Sequence, residues 1–230
     1  MTDSNYAIWD EILSEQSYDL QIVQMYLEKR IDFQSLDILY TDYEKMRVKA
    51  SKRIISAILN TSLSEIIDLI RKDDIEAIES SEFPWFYSLE EVIFVETELL
   101  EDGPLTNEEI GVKSPTCRLK TKANTQRFGQ AHSNLLTLLG LIEHVDKKNQ
   151  LTTIGKEYNK LDIHDRLDIF IKLLFRIPLI RDIYRNGSDD INYVFELTED
   201  KMKESSVKRR IICIRRLIDE IEKHRHIIEN

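Results

Sequence analysis

Between Thr125 and Leu139 the chain reads TQRFGQAHSNLLTLL, and its polar members are of the types that read the edges of DNA bases. Gln and Asn offer a paired donor and acceptor, Arg a fork of donors and Ser a hydroxyl, each matching hydrogen-bonding groups of the major groove. Gln126, Gln130 and Ser133 step along one side of a helix with Arg127 and Asn134 beside them, while Phe128, Ala131, Leu135 and Leu138 step along the other. One apolar side for the core and one polar side for the groove is the makeup of a recognition helix. The approach to it, Lys113 to Arg127, carries five basic residues (Lys113, Arg118, Lys120, Lys122, Arg127) and no acid, a composition suited to phosphate. Lys120 and Lys122 are thus expected on the DNA backbone, Gln126, Arg127, Gln130, Ser133 and Asn134 on or near the bases, and Asn124 among the DNA-contacting residues.

These residues need elements to hold them. Thr106-Asn-Glu-Glu109 has capping-box form and predicts a short helix bracketed by Leu105 and Ile110 and ended by Gly111 and Ser114-Pro115. After the candidate recognition helix come Gly140 to Val145, a polar turn Asp146-Lys-Lys-Asn149, and Gln150 to Thr153, which together predict a hairpin. Lys147 and Lys148 at its turn would also meet phosphate. Helix, hairpin with a basic turn, then an LTxxG helix start is the order a winged helix-turn-helix requires. Near the C-terminus Val207, Ile211, Ile214, Ile218 and Ile221 form one apolar stripe on a helix that also carries Lys208, Arg209, Arg210, Arg215 and Arg216, with no acid until Asp219. Those cations either form a second phosphate surface or bridge to the acidic first part of the chain.

Composition frames this reading. The 230 residues are 42% apolar and 32% charged, with 6 Gly and 4 Pro, too apolar for disorder and too poor in turn formers for a β-sandwich. The overall charge of −10 hides an asymmetry: residues 1–104 hold 9 basic and 23 acidic side chains (net −14), the rest 23 and 19 (net +4). Turn chemistry at Glu101-Asp-Gly-Pro104 coincides with the change of sign. We therefore expect a mainly α protein with two modules, an acidic helical one at 1–103 and a winged helix with C-terminal helices at 104–230. In the first module Ser62-Leu-Ser-Glu65 is another capping box. Lys45, Arg47, Lys49, Lys52 and Arg53 form its one basic stretch, able to pair with the surrounding acids, and the cluster Phe83-Pro-Trp-Phe-Tyr87 reads as a core plug between helices.

Leu138 to Ile142, Leu151 to Gly155, Leu161 to Phe170 and Arg176 to Ile180 together resemble the winged-helix module called the AAA-associated domain. That pattern has an LGL turn, a wing, an LTxxG helix start and an amphipathic helix ending in a proline-marked apolar segment. Ser206-Val-Lys-Arg-Arg210 and the helix after it are similar to a later helix in related modules of prokaryotic restriction and defence proteins, with Leu217 where those carry an aromatic. The resemblance spans about residues 104–221. It implies a setting in restriction or anti-phage defence, and it is compatible with contact to DNA or to protein.

Chemistry of other kinds finds little footing. Glu199-Asp-Lys201 downstream of Asp189 and Asp190 is the nearest approach to a metal-nuclease set, but its surroundings read as a helix start or loop. His224 and His226 lack further ligands at metal spacing, and no phosphate loop or GxSxG elbow occurs. Cys117 and Cys213 stand apart and read as reduced, buried thiols. The longest apolar stretch, Ile169 to Ile180, is interrupted by Lys172 and Arg176, and the N-terminus lacks the form of a signal peptide. The expectation is a cytoplasmic, non-catalytic protein without metal or cofactor, bound to double-stranded DNA through its second module and to another protein subunit through its first. An adaptor whose winged helix docks protein, and an acidic DNA mimic, are the alternatives.

Overall fold

Both capping boxes form as their sequences direct. Ser62 N–H donates to the Glu65 carboxylate at 2.8 Å and Glu65 N–H returns to Ser62 Oγ at 3.3 Å. Thr106 and Glu109 repeat the exchange at 2.7 and 3.2 Å, so each helix starts with two otherwise orphaned donors satisfied. The carboxyls of Glu65 and Glu109 are held below their usual value, Glu65 first by the Ser62 hydroxyl and then by the Ser62 N–H, Glu109 first by the Thr106 N–H and then by the Thr106 hydroxyl.

The computed structural model describes residues 4–14, 16–71, 78–94, 96–187, 191–197 and 202–228. The chain is mostly helical with one small antiparallel hairpin. The acidic part holds α1 (Ser4–Leu13), α2 (Asp19–Leu27), α3 (Phe33–Leu39), α4 (Tyr43–Asn60), α5 (Leu63–Ile70), α6 (Leu89–Phe94) and α7 (Glu96–Leu99). Beyond Pro104 follow α8 (Asn107–Lys113), α9 (Lys122–Leu138), the strands β1 (Ile142–Val145) and β2 (Lys148–Leu151), then α10 (Thr153–Asn159), α11 (Ile163–Leu173), α12 (Pro178–Asn186), α13 (Ile191–Glu196) and α14 (Glu204–Ile228). No helix of the described residues is long and apolar enough to cross a membrane.

The apolar core does not divide at Pro104. Ala50, Ile54, Ala57 and Ile58 of α4 are fully buried and belong to one cluster with Ile169, Phe170 and Leu173 of α11 and Ile154 and Tyr158 of α10. Small residues along α4 let α2 and α10 both pack on it, each buried Ile contributing about 1.5–3 kcal/mol. The turn at 101–104 therefore marks a change of surface charge inside a continuous core.

Polar contacts cross the same line and use the positive charge of the second part inwardly. Lys172 of α11 donates to the carbonyls of Ile58 and Leu59 at the end of α4, at 3.0 and 3.2 Å. Arg181 of α12 donates to Leu27 O at the end of α2, and Arg185 to Ile70 O at the end of α5, at 3.1 and 2.9 Å. A helix C-terminus presents unpaired carbonyls and partial negative charge, so a cation there meets both needs. Three helices of the acidic part end on cations supplied from beyond Pro104, and the charge asymmetry is to this extent a feature of packing rather than of two outward surfaces. Arg176 also donates to Tyr26 O at 3.1 Å and lies over the Tyr26 ring at 4.3 Å.

The hairpin differs in one respect from the sequence reading. Val145 pairs with Lys148 and His144 with Asn149, so the connecting turn is the two residues Asp146 and Lys147, both at positive φ (49° and 65°), not four residues. Asn149 is drawn into the strand because it has a second partner: its backbone exchanges hydrogen bonds with Leu105 at 2.7 and 3.0 Å, and its side chain donates to Asn107 Oδ1 at 2.8 Å.

Candidate nucleic-acid interface

Helix α9 is fixed on one flank by α8 through two glycines. A Cβ on Gly129 would lie 2.0 Å from Asn107 O, and one on Gly111 would lie 2.1 Å from Thr125 O, so the two backbones touch. Gly111 is inside α8 rather than at its end as expected, since only a residue without a side chain permits this approach. Along another flank runs the aromatic segment. His132, fully buried, accepts the N–H groups of Tyr87 and Ser88 at its Nε2, at 3.2 and 3.3 Å, and Phe128 stacks parallel to Tyr87 with centroids 5.7 Å apart. Two accepted hydrogen bonds require Nε2 to be unprotonated.

What remains outward on α9 is a ridge of Lys122, Gln126, Arg127 and Gln130, and no residue of that helix is acidic. Lys122 stands 3.7 Å from Glu108, with its side chain largely exposed. Lys147 and Lys148 at the hairpin are exposed as well. Asn124 is half-buried and ties the helix start, donating to Thr121 Oγ1 at 2.8 Å.

Other expected contact residues serve the fold instead. Ser133 is buried, one turn on from Gly129, and its Oγ has no hydrogen-bond partner among the described residues. Its place on the wheel is the edge of the α8 flank, which periodicity alone assigned to the open side. Lys120 directs its ammonium at the carbonyls of Gly111, Val112 and Ser114 at 2.9, 2.8 and 2.6 Å and so closes the end of α8. Three accepted donors leave that ammonium committed to protein. Asn134 is half-buried and donates to Phe83 O at 3.4 Å.

On α14 the apolar stripe is as expected at Val207, Ile211, Ile214 and Ile221, with Cys213 and Leu217 also buried and Ile218 half-buried. Its cations separate. Arg210 is half-buried and donates to Ser80 O at 2.8 Å, a bridge to the first part of the chain. Lys208 pairs with Glu204 at 2.5 Å, and Arg209 is exposed with its Nε on Ser205 O at 3.2 Å. Arg215 is exposed; Arg216 is exposed too but shares a cleft with Glu90, Asp219 and Glu220.

Comparison with protein-family models, curated proteins and solved structures gave no match.

The aromatic cluster is a plug only in part: Phe83, Pro84 and Phe86 are buried and Trp85 half-buried, while Tyr87 is 50% exposed. His224 donates from Nε2 to the Asp168 carboxylate at 3.0 Å, and no group of three metal-binding side chains occurs among the described residues. Asp189, Asp190, Glu199, Asp200 and Lys201 lie outside the described residues. The anchoring role of His132 had a legible signal, a titratable residue one turn after Phe128 on the apolar face of its helix. The role of Lys120 had none, because it depends on where α8 ends in space.

Proposed function

We propose that this protein binds duplex DNA without catalysis, through a winged helix formed by residues 105–151, in a cytoplasmic setting of prokaryotic restriction or anti-phage defence. The observation that carries the reading is the state of α9. It is pinned on one flank by glycine contacts to α8 and on another by the aromatic segment, and its open side presents Lys122, Gln126, Arg127 and Gln130 with no carboxylate on the helix. A rigid helix with donors, acceptors and cations outward needs little ordering to enter a major groove. The order of elements supports it too: an extended residue (Leu105), α8, α9, then a hairpin whose second strand pairs back to that residue is winged-helix order. The basic hairpin turn follows α9 directly, where a wing meets phosphate.

Within this reading Gln126 and Gln130 face base edges and Lys122, Arg127, Lys147 and Lys148 hold phosphates. The acidic part, with Tyr18 and Ile38 exposed at 79% and 66%, would face a protein subunit. A second reading, in which the same module docks protein, is favoured by Val112, Leu119 and Val145, all exposed within 105–151.

The deciding experiment is titration of a duplex library with the full chain at two salt concentrations. Affinity should fall steeply with salt, and Arg127→Ala should lower the slope by about one unit, the share of a single phosphate. Gln130→Ala should instead relax preference at one base position, by roughly 1–3 kcal/mol. A folded protein with no affinity for any duplex at low salt would transfer the assignment to protein docking.

A further inference from the structure

Beside α9 lies a pocket of about 290 Å³ whose lining includes Tyr87, Arg118, Leu119, Asn124, Arg127 and Phe128 and, among the described residues, no carboxylate. Three features distinguish it from an ordinary surface hollow. First, the Tyr87 ring is held in place before anything binds. Its backbone N–H is fixed on buried His132, its plane lies within 6° of that of Phe128, and Trp85 braces it at 5.6 Å between centroids. Second, the residue is nevertheless 50% exposed, the outlier in a segment whose other rings turn inward. Third, two exposed arginines and a leucine exposed at 65% line the same pocket. An immobilised ring with open surface, an apolar edge and two phosphate-binding side chains is the makeup of a nucleotide stacking platform.

We infer that this pocket takes one unpaired nucleotide next to the duplex, its base stacked against Tyr87 and its phosphate held by Arg118 and Arg127. The inference rests on the duplex-binding reading and deepens it. Arg127 is on the edge of the outward ridge of α9 and also lines the pocket, so a strand leaving a duplex bound on that ridge meets Tyr87 next. The unpaired base can come from a single-stranded overhang or from a base extruded within a duplex, and both present the same ring and phosphate. Stacking on a ring reads no sequence, so the pocket would sense the presence of an unpaired base rather than its identity.

The test uses the full-length protein and three DNA probes of equal duplex sequence: one closed by loops of a non-nucleotide linker, one with a short overhang, and one closed but carrying an internal unpaired base. The expected result is tighter binding of a probe with an unpaired base than of the fully paired one, by about five-fold or more. The overhang and internal-base probes tell the two sources apart. Tyr87→Phe, which keeps the stack on Phe128, should keep both the preference and the affinity for the fully paired probe, whereas Tyr87→Ala should abolish the preference by weakening the unpaired-base probes more than the fully paired one. Quenching of a fluorescent base analogue at the unpaired position should follow the same order. Equal affinity of the wild-type protein for all three probes, or a preference that survives Tyr87→Ala, overturns the inference and leaves duplex binding standing. Absence of binding to every probe removes both.

Discussion

Asn134 of α9 and Arg210 of α14 donate to the same carbonyl oxygen, that of Phe83, at 3.4 and 3.5 Å. Their residue types suit DNA contact, yet their shared partner makes them structural, drawing two distant helices onto one point of the aromatic segment. Arg210→Gln should accordingly lower the thermal midpoint, by about 2–4 °C for each kcal/mol of stability removed in a chain of this size, with duplex affinity unchanged. Arg127→Ala should do the reverse. Thermal melts and duplex titrations on the two variants separate these outcomes, and a drop in affinity with an intact midpoint for Arg210→Gln would return that residue to the DNA surface.

Lys172 is the deepest of the cations that end helices of the acidic part, its side chain 4% exposed and its ammonium shared among two carbonyls and Asp168. Lys172→Met keeps the bulk and removes the donors. The unsatisfied carbonyls of Ile58 and Leu59 should then cost roughly 1–3 kcal/mol, visible as a lower midpoint in urea with an unchanged slope.

Asp168 gives a pH signature to the same site. Burial alone would raise its pKa, but hydrogen bonds from His224 and Lys172, and their charges, outweigh burial and hold the carboxyl below its usual value. The ionised form is thus favoured by folding. Its contribution is complete above the unfolded-state value of about 3.9 and is lost as pH falls through the lower folded-state value. Asp168→Asn should be less stable than the wild type near neutrality, and the gap should close as denaturation is measured at successively lower pH.

Gly129 marks the closest approach of α8 and α9. Because the atom a Cβ would strike is backbone, Gly129→Ala cannot be relieved by a rotamer change, and the loss should exceed the roughly 1–3 kcal/mol of ordinary overpacking. Hydrogen exchange should locate the loosening in α8. An Ala variant as stable as the wild type would mean that the helices stand further apart.

Lys147 holds φ of 65° in the hairpin turn, a conformation that costs a residue with a Cβ about 1–2 kcal/mol. Lys147→Gly should raise the thermal midpoint by a few degrees while lowering duplex affinity and its salt slope through removal of the charge. Higher stability with full affinity would take the wing off the phosphate surface.

The sequence alone determined the features whose causes are local. Capping boxes at Ser62 and Thr106, the apolar stripe of α14, the amphipathic α9 and a hairpin after it all follow from spacings of three and four residues or from adjacent turn residues, and the structure carries each. The tertiary structure decided which polar residues face outward. Lys120, Asn134 and Arg210 have side chains that bind phosphate or carbonyl oxygen equally well, and the choice is made by helix ends and loops far off in sequence that come within reach only on folding. Ser133 and Tyr87 changed sides for the same reason: a helical wheel and an aromatic cluster give direction relative to one element, while burial depends on what packs against it. The change of charge sign at Pro104 suggested two bodies, and the core runs through it, because apolar contact is indifferent to the charge of the surface above it.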